Sequence, residues 1–378
     1  MYRPTVVMGI IALPLVLAGL VTPVDVAARS TASVPETIVF NRGVVELETA
    51  SSASISVRIA EELASVVNDG ATRRLVPVIG TGSLGNLRDL KLLRGIDMAI
   101  LQADILDYAR EQKRFPGIEA SVTYVTKLYN EEFHLLARAE IKSTADLVNK
   151  KVNVDLRESG TAIMAGRLFD RLKLRVVSTN DAPESALAKL RSGEIAALAF
   201  VSGKPVPLFH DLREDEGLHL LALPFDAATA PAYLPARLTS ADYPGLVPQG
   251  GSVDTVAVGA VLVVANLQQA TERDRNVANF VEAFFTSFQT LLEPGHHAKW
   301  QEVNLAAELP GWRRYPAAEQ WLQRNLQVAK APNPEDLEQM FARFFDERRQ
   351  LTGGKPMTQQ EKSDIFQQYQ RWQTGQAR

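Results

Sequence analysis

The chain has no cysteine. Disulfides, thiolate metal sites, a cysteine-linked lipid anchor and a disulfide-linked partner are therefore excluded, although a chain of this length can build its core without cross-links. Histidine is scarce, at five in 378 residues. His296 and His297 are adjacent, so they cannot share one helical face, and no HExxH motif occurs. No metal ligands and no cofactor are expected. The chain also lacks any large basic block, and its formal net charge is −3, which argues against nucleic acid as a partner. Beyond the first thirty residues no apolar run reaches the length of a membrane-spanning helix.

What is present begins at the N-terminus. Arg3 precedes an apolar run from Val6 to Val21, and the small residues Ala27 and Ala28 follow. This is the layout of a signal peptide over residues 1–28, cleaved after Ala28, and it predicts a periplasmic or otherwise extracytoplasmic protein. An uncleaved N-terminal membrane anchor is the alternative.

From Thr37 short apolar runs alternate with helical segments. "VVELETA", "RLVPVIG" and "IDMAILQAD" read as strands. "SISVRIAEELASVVND" places Ile55, Ile59, Leu63 and Val66–Val67 on one helical face behind Ser54, a candidate N-cap. "SLGNLRDLKLLRG" reads as a helix capped by Gly95. Alternation of this kind indicates an α/β fold with parallel strands covered on both faces. A second unit of similar plan follows, in which "KVNVDLRESGTAIMAGRLFDRLKL" and "ESALAKLRSGEIAALAFVSGKP" repeat strand, polar turn, helix, glycine and buried strand. Pattern alone leaves open whether these are two lobes or one long sheet. The apolar runs "FHLLARA" and "TVAVGAVLVVA" are the segments able to join them. "LPARLTSADYPGLVPQGGS" reads as loop, the segment after Glu272 as helical, and residues 331–378 as a polar helical C-terminal extension.

Three chemistries could use the glycine-rich turn Gly80-Thr81-Gly82-Ser83-Leu84-Gly85. It lacks the P-loop lysine. As a nucleophile elbow it is off by one residue, and Ser83 has no assignable His and Asp. It does read G-x-G-x-x-G with Asp104 about twenty residues on, but one α/β pass precedes it, whereas a dinucleotide site sits on the first strand of its domain. The reading that uses both units pairs the two helix starts, Thr81–Ser83 and Ser159–Thr161, across a cleft. Amide and hydroxyl donors there would hold a small anion without lysines.

In order along the chain, "GTGSLGNLRDL", "DMAILQAD", "LYNEEFHLLAR", "IKSTADLVNKKVNV", "SGT", "ALAKLRSGEIAALAFVSGKPVP" and "YPGLVPQGGSVDTVAVGAVLVV" resemble the TAXI-type solute-binding proteins of TRAP transporters. The resemblance runs from about Thr37 to Trp321. It implies a two-lobed periplasmic-binding-protein type II fold, with mostly parallel sheets flanked by helices and the ligand cleft between the lobes. The first lobe would comprise residues 37–130 and 257–330, and the second 131–256, with crossings near Tyr129–Ala137 and Thr255–Val264. The implied function is that of an extracytoplasmic receptor, not an enzyme. It would capture a small organic anion, either an amino acid such as glutamate or a dicarboxylate or 2-oxoacid, for the membrane permease subunits of a TRAP transporter. A ligand-sensing or scaffolding protein partnering a membrane signalling protein is the alternative.

Site residues implied by the resemblance are Thr81, Gly82 and Ser83, Gln102 and Tyr129 in the first part. In the second they are Ser159, Gly160 and Thr161, Phe200 and Val201, and Tyr243. The family's Gly-Gly-x-Tyr turn is replaced here by "ETASSASIS", leaving Ser52 and Ser54 as hydroxyl donors. Its Pro-Gly is replaced by Arg157-Glu158. Arg157 would attract a carboxylate in the cleft and Glu158 would repel one.

Overall fold

The computed structural model describes residues 43–325, with Thr358 and Gln360. The expected signal segment and nearly all of the 331–378 extension lie outside the described residues. Ten strands form one sheet: β1 Val44–Thr49, β2 Arg74–Ile79, β3 Met98–Gln102, β4 Val122–Arg138, β5 Lys151–Asn153, β6 Val177–Thr179, β7 Ala197–Ser202, β8 Leu218–Leu220, β9 Leu234–Thr239 and β10 Ser252–Ala265. The helices of seven residues or more are α1 Ser56–Val67, α2 Ser83–Leu92, α3 Ile105–Glu111, α4 Gly160–Arg171, α5 Pro183–Ser192, α6 Glu272–Thr286 and α7 Pro316–Asn325. Among the described residues no helix is long and apolar enough to cross a membrane.

The strand order β2-β1-β3-β10-β4-β7-β5-β6 puts two parallel groups at the ends and an antiparallel pair in the middle. β1 pairs in parallel with β2 and β3, and β5 with β6 and β7. Between them β4 and β10 run antiparallel along most of their length, with register shifts at Gly259/Val261 and Leu262/Val263. The N-terminal part of β4 lies with β10, while its C-terminal part pairs with β7 and β8. β10 likewise passes from β9 to β3. The two apolar runs expected to join the units are these long strands. The question of lobes or one sheet thus has a mixed answer: one continuous hydrogen-bonded path, with parallel units at either end.

Each end has its own core on both sheet faces. At the first end, the α1 face Ile59, Leu63 and Val67 packs on Val45 and Leu47 of β1 and on Val277, Phe280 and Phe284 of α6, and Trp300 joins them. The opposite face is filled by Leu84, Leu87, Leu101 and Ile105. At the second end Phe133, Leu135 and Ala137 of β4 face Met164, Leu168 and Phe169 of α4, while the intervening Leu136 faces Leu187, Phe200 and Phe209. The two-residue alternation of β4 therefore feeds two separate cores. Each such side chain contributes about 1.5–3 kcal/mol on full burial.

Three local expectations change. α1 has Ile55 at its N-cap with no side-chain cap, because the Ser54 hydroxyl accepts the Ser56 amide at 3.2 Å instead. α2 stops at Leu92, and Leu93 is already extended, so Gly95 (φ +109°) turns the chain after the helix rather than capping it. Gly193 (φ +80°), by contrast, does cap α5. Within the segment read as loop, Leu234–Thr239 forms strand β9. It pairs only with β10, and an edge strand tolerates Pro235 because one of its sides needs no N–H donor.

Candidate functional site

The two polar helix starts meet. β2 leads into the turn Gly80–Gly82 and then α2, and β5 leads into Val154–Ser159 and then α4. The amides of Leu84 and Gly85, in the first turn of α2, both donate to the Glu158 carbonyl at 3.1 and 3.3 Å. A Cβ on Gly82 would lie 3.0 Å from the Ser159 Cα. Gly82 has φ +116°, a conformation natural to glycine alone. Its amide is fixed by the Asn86 side chain at 3.0 Å, which in turn donates to the Thr49 carbonyl at 2.9 Å.

A cavity of about 20 Å³ remains between the turns, on the order of one water molecule. Of the expected site residues, Ser54, Thr81, Gly82, Ser83, Gln102, Ser159, Gly160, Thr161, Phe200 and Val201 line it. Four do not. Ser52 is exposed, and Ser51 and Ser56 take its place in the wall. Arg157 is exposed at the turn. Tyr129 is fully buried in the first core, close to where a Gly203 side chain would project. Tyr243 lies behind the wall. Its hydroxyl donates to His134 Nε2 at 2.7 Å, and the other imidazole nitrogen donates to the carbonyl of the lining residue Phe200 at 3.2 Å. Burial holds His134 neutral, its pKa lowered to about 3, which fits this tautomer. Tyr243 thus positions the wall without forming it.

Three of the expected hydroxyls each accept a backbone amide at 3.0 Å: Ser83 from Gln102, Ser159 from Ala162, and Thr161 from Val201. A hydroxyl engaged as acceptor keeps its own proton to donate.

Two acids line the cavity that were not expected there, Glu131 on β4 and Asp155 after β5. They are 6% and 5% exposed. Glu131 Oε2 accepts from Gln102 Nε2 at 2.9 Å. Burial foremost, against the Gln102 hydrogen bond, raises its pKa to about 7. Asp155, at φ +65°, accepts the Leu156 amide at 2.7 Å. Burial raises its pKa to about 6, opposed by that amide and by the hydroxyls of Ser159 and Thr161. The adjacent Glu132 points to the other side of β4, where it bonds the buried Lys299 at 2.5 Å and the Lys204 amide at 2.9 Å. The signal in the sequence was "NEEF", two consecutive acids inside a buried strand. Alternation requires that they face opposite ways, so one lysine cannot serve both.

Glu158, at φ +68°, occupies a left-handed position where the resembled family has glycine. Its carboxylate pairs with Arg88 of α2 and with Arg114, at 3.2 Å for the latter. It faces these cations at the cleft rim and does not line the cavity.

The chain matches the NMT1-like family over residues 48–313 and belongs to it. Solved structures similar to it include the alkanesulfonate-binding protein SsuA from Xanthomonas axonopodis pv. citri bound to MOPS (14% identity, TM-score 0.44, covering 81% of this chain and 93% of that one). They also include the periplasmic binding protein BugD (11% identity, TM-score 0.45, 75% and 94%). A third is an ancestral arginine-binding protein bound to arginine (15% identity, TM-score 0.42, 69% and 97%).

Proposed function

We propose that this chain is an extracytoplasmic solute receptor of the TAXI type, which captures a small organic acid and presents it to the permease of a TRAP transporter. The ligand class is an amino acid such as glutamate, or a dicarboxylate or 2-oxoacid. The observation that carries this reading is the meeting of two helix starts, one from each end of the sheet, over a buried polar cavity. The residues before 131 and after 256 would form one lobe and 131–256 the other. β4 and β10, the strands that pass between them, would act as the hinge. The cavity is smaller than any such solute, so admission requires the turns to part. Binding energy would come from hydrogen bonds to charged groups inside a closing, desolvated site.

The test is thermal unfolding of the purified chain against a panel of amino acids, dicarboxylates, 2-oxoacids and sugars. A ligand at a hundred times its Kd adds about 2.7 kcal/mol to the folded state, which reads as a rise of several degrees in Tm. The direct contact of Leu84 and Gly85 with Glu158 favours a second reading. In it the closed form serves a membrane signalling partner as a sensor or scaffold, and a panel without any shift would support it.

A further inference from the structure

We propose that the cavity selects a solute carrying an ammonium group and no net negative charge, an amine or a neutral or cationic amino acid, and that Glu131, Asp155 and the Gln102 carbonyl accept its N–H groups. This inference rests on the receptor reading but departs from its ligand class: it excludes glutamate, dicarboxylates and 2-oxoacids, keeps neutral and cationic amino acids, and adds amines.

Part of what would attract an anion here is already engaged by the chain itself. The first amides of α2 bond the Glu158 carbonyl. In the turn before α4 the Asp155 carboxylate takes the Leu156 amide and the pull of the Ser159 and Thr161 hydroxyls, so negative charge of the chain's own already sits beside that helix start. None of the described residues lining the cavity is Lys, Arg or His, while two are carboxylic acids. The cation nearest in effect to Glu131 is Lys299, and it is bound to Glu132 and Glu302 on the other side of β4. A dicarboxylate or 2-oxoacid entering here would bring more negative charge beside two buried acids without a counter-ion.

Gln102 supplies the independent sign. It is 3% exposed and lines the cavity. The structure turns its NH₂ group to Glu131, 2.9 Å away, the orientation an ionised carboxylate requires. Its Oε1 is thereby turned away, buried, and without a hydrogen-bond partner. A side chain on Gly160 would strike it at 2.5 Å, so this oxygen lies directly against the start of α4. A buried acceptor left unpaired beside two buried carboxylates calls for a donor-rich ligand. An ammonium group has three N–H donors and the positive charge the wall lacks.

The pH dependence of binding separates the two ligand classes by sign. Glu131 interacts with Gln102 on β3, Glu132 on its own strand, Lys299 beyond it and Asp104 after β3. Asp155 interacts with Leu156, Ser159, Thr161 and Glu184 on α5. In the free protein burial keeps Glu131 half protonated near pH 7. A bound ammonium favours the ionised acid, so affinity rises with pH, by about tenfold from pH 6 to pH 8 if one proton is released. A bound carboxylate favours the protonated acid, and affinity falls over the same range.

The experiment is calorimetric titration of the full chain at pH 6, 7 and 8 with matched pairs: alanine against lactate, glutamine and glutamate against 2-oxoglutarate, and arginine and putrescine against succinate. The expected result is that one ammonium-bearing, non-anionic probe binds at least tenfold tighter than its counterpart and tightens as pH rises. Glu131→Gln then weakens it tenfold or more and flattens the pH dependence. Equal or tighter binding of glutamate, lactate, the 2-oxoacid or the dicarboxylate, or affinity that falls with pH, overturns the inference and leaves the receptor reading standing. Absence of binding by every probe overturns the receptor reading, and this inference with it. The wild-type pairs and pH series decide the matter even where the variant does not fold.

Discussion

The turn before α2 and the turn before α4 do the same topological job by different means. Each carries a chain out of a parallel strand and into a helix whose first residues line one cavity. The first turn relies on the missing side chain of Gly82, at φ +116°, to lie against Ser159 and Gly160. The second puts acids in left-handed positions, Asp155 at φ +65° and Glu158 at φ +68°, and ties each down with hydrogen bonds or arginines. One turn is shaped by space and the other by charge. Substitutions in the first should therefore act through sterics and show little dependence on salt or pH, whereas those in the second should respond to both.

The largest effect is expected at Gly82. Alanine there is strained whatever its neighbours, by about 1–3 kcal/mol, and its Cβ would also meet backbone at 3.0 Å. Gly82→Ala should lower Tm and abolish ligand-induced stabilisation. At Gly160 the three atoms nearest an added Cβ all belong to the Gln102 side chain, at 2.5–2.6 Å, so a side chain and not backbone must give way. Gly160→Ala should lower stability less while still weakening binding. Denaturant unfolding of both variants in parallel checks the order, and an equal loss would mean that the close approach at Gly82 is not what shapes the first turn.

Next are the hydroxyls. Thr161→Ala and Ser83→Ala each leave a buried backbone amide, of Val201 or Gln102, without its acceptor, at a cost of about 1–3 kcal/mol. Ser159→Ala removes the N-cap of α4, worth about 1 kcal/mol. Chemical denaturation of the three single variants gives the ranking. A Tm unchanged in all three would show that these hydroxyls serve only a ligand.

These hydroxyls also mark how far the sequence could be read. The strands, the helices and the two crossing segments were legible because apolar periodicity is set by burial, which is a local property of each strand or helix. The facing of Thr81–Ser83 and Ser159–Thr161 was legible because polar, small helix starts in two similar units imply a common use. The acids were not. Strand alternation separates Glu131 from Glu132 without telling which of the two faces the cavity, and Asp155 enters through a left-handed turn that leaves no periodic trace. Tyr243 carried a family resemblance, yet it acts one layer back, through His134. Ser52 and Ser51 differ only by register in a loop, where no pattern distinguishes the residue that turns inward.

pH tests the charged side of the comparison. Glu131 has its folded pKa raised from 4.5 to about 7, chiefly by burial. The folded state then binds more protons than the unfolded one across this interval, so this acid's contribution to stability is greatest below pH 4.5 and is lost as pH rises to 7. Asp155 acts in the same direction, from 3.8 to about 6. Glu131→Gln should flatten the fall in Tm between pH 5 and 7.5, and Gly82→Ala should leave its slope as in the wild type. A slope untouched by Glu131→Gln would place the titration on other buried acids, such as Glu132, also raised to about 7.

The smallest effect is expected at the rim, and it is the sharpest on what the second turn is for. Arg88→Ala removes a partly exposed partner of Glu158, the two side chains being 35% and 30% exposed. Its cost in stability should be below about 1 kcal/mol and should shrink with added salt. Glu158→Gly loses both arginine contacts but relieves a left-handed non-glycine residue, a gain of about 1 kcal/mol, so the two changes nearly cancel in Tm. They do not cancel in closure. The arginine pairs join α2 and Arg114 to the turn before α4, so they exist only while the turns touch. Glycine at 158 should therefore leave Tm within about 1 kcal/mol of wild type while expanding the molecule measurably in small-angle scattering at low salt. Compact scattering in that variant would mean that the backbone contacts of Leu84 and Gly85 with residue 158 hold the turns together unaided, and that the latch is made by backbone and not by charge.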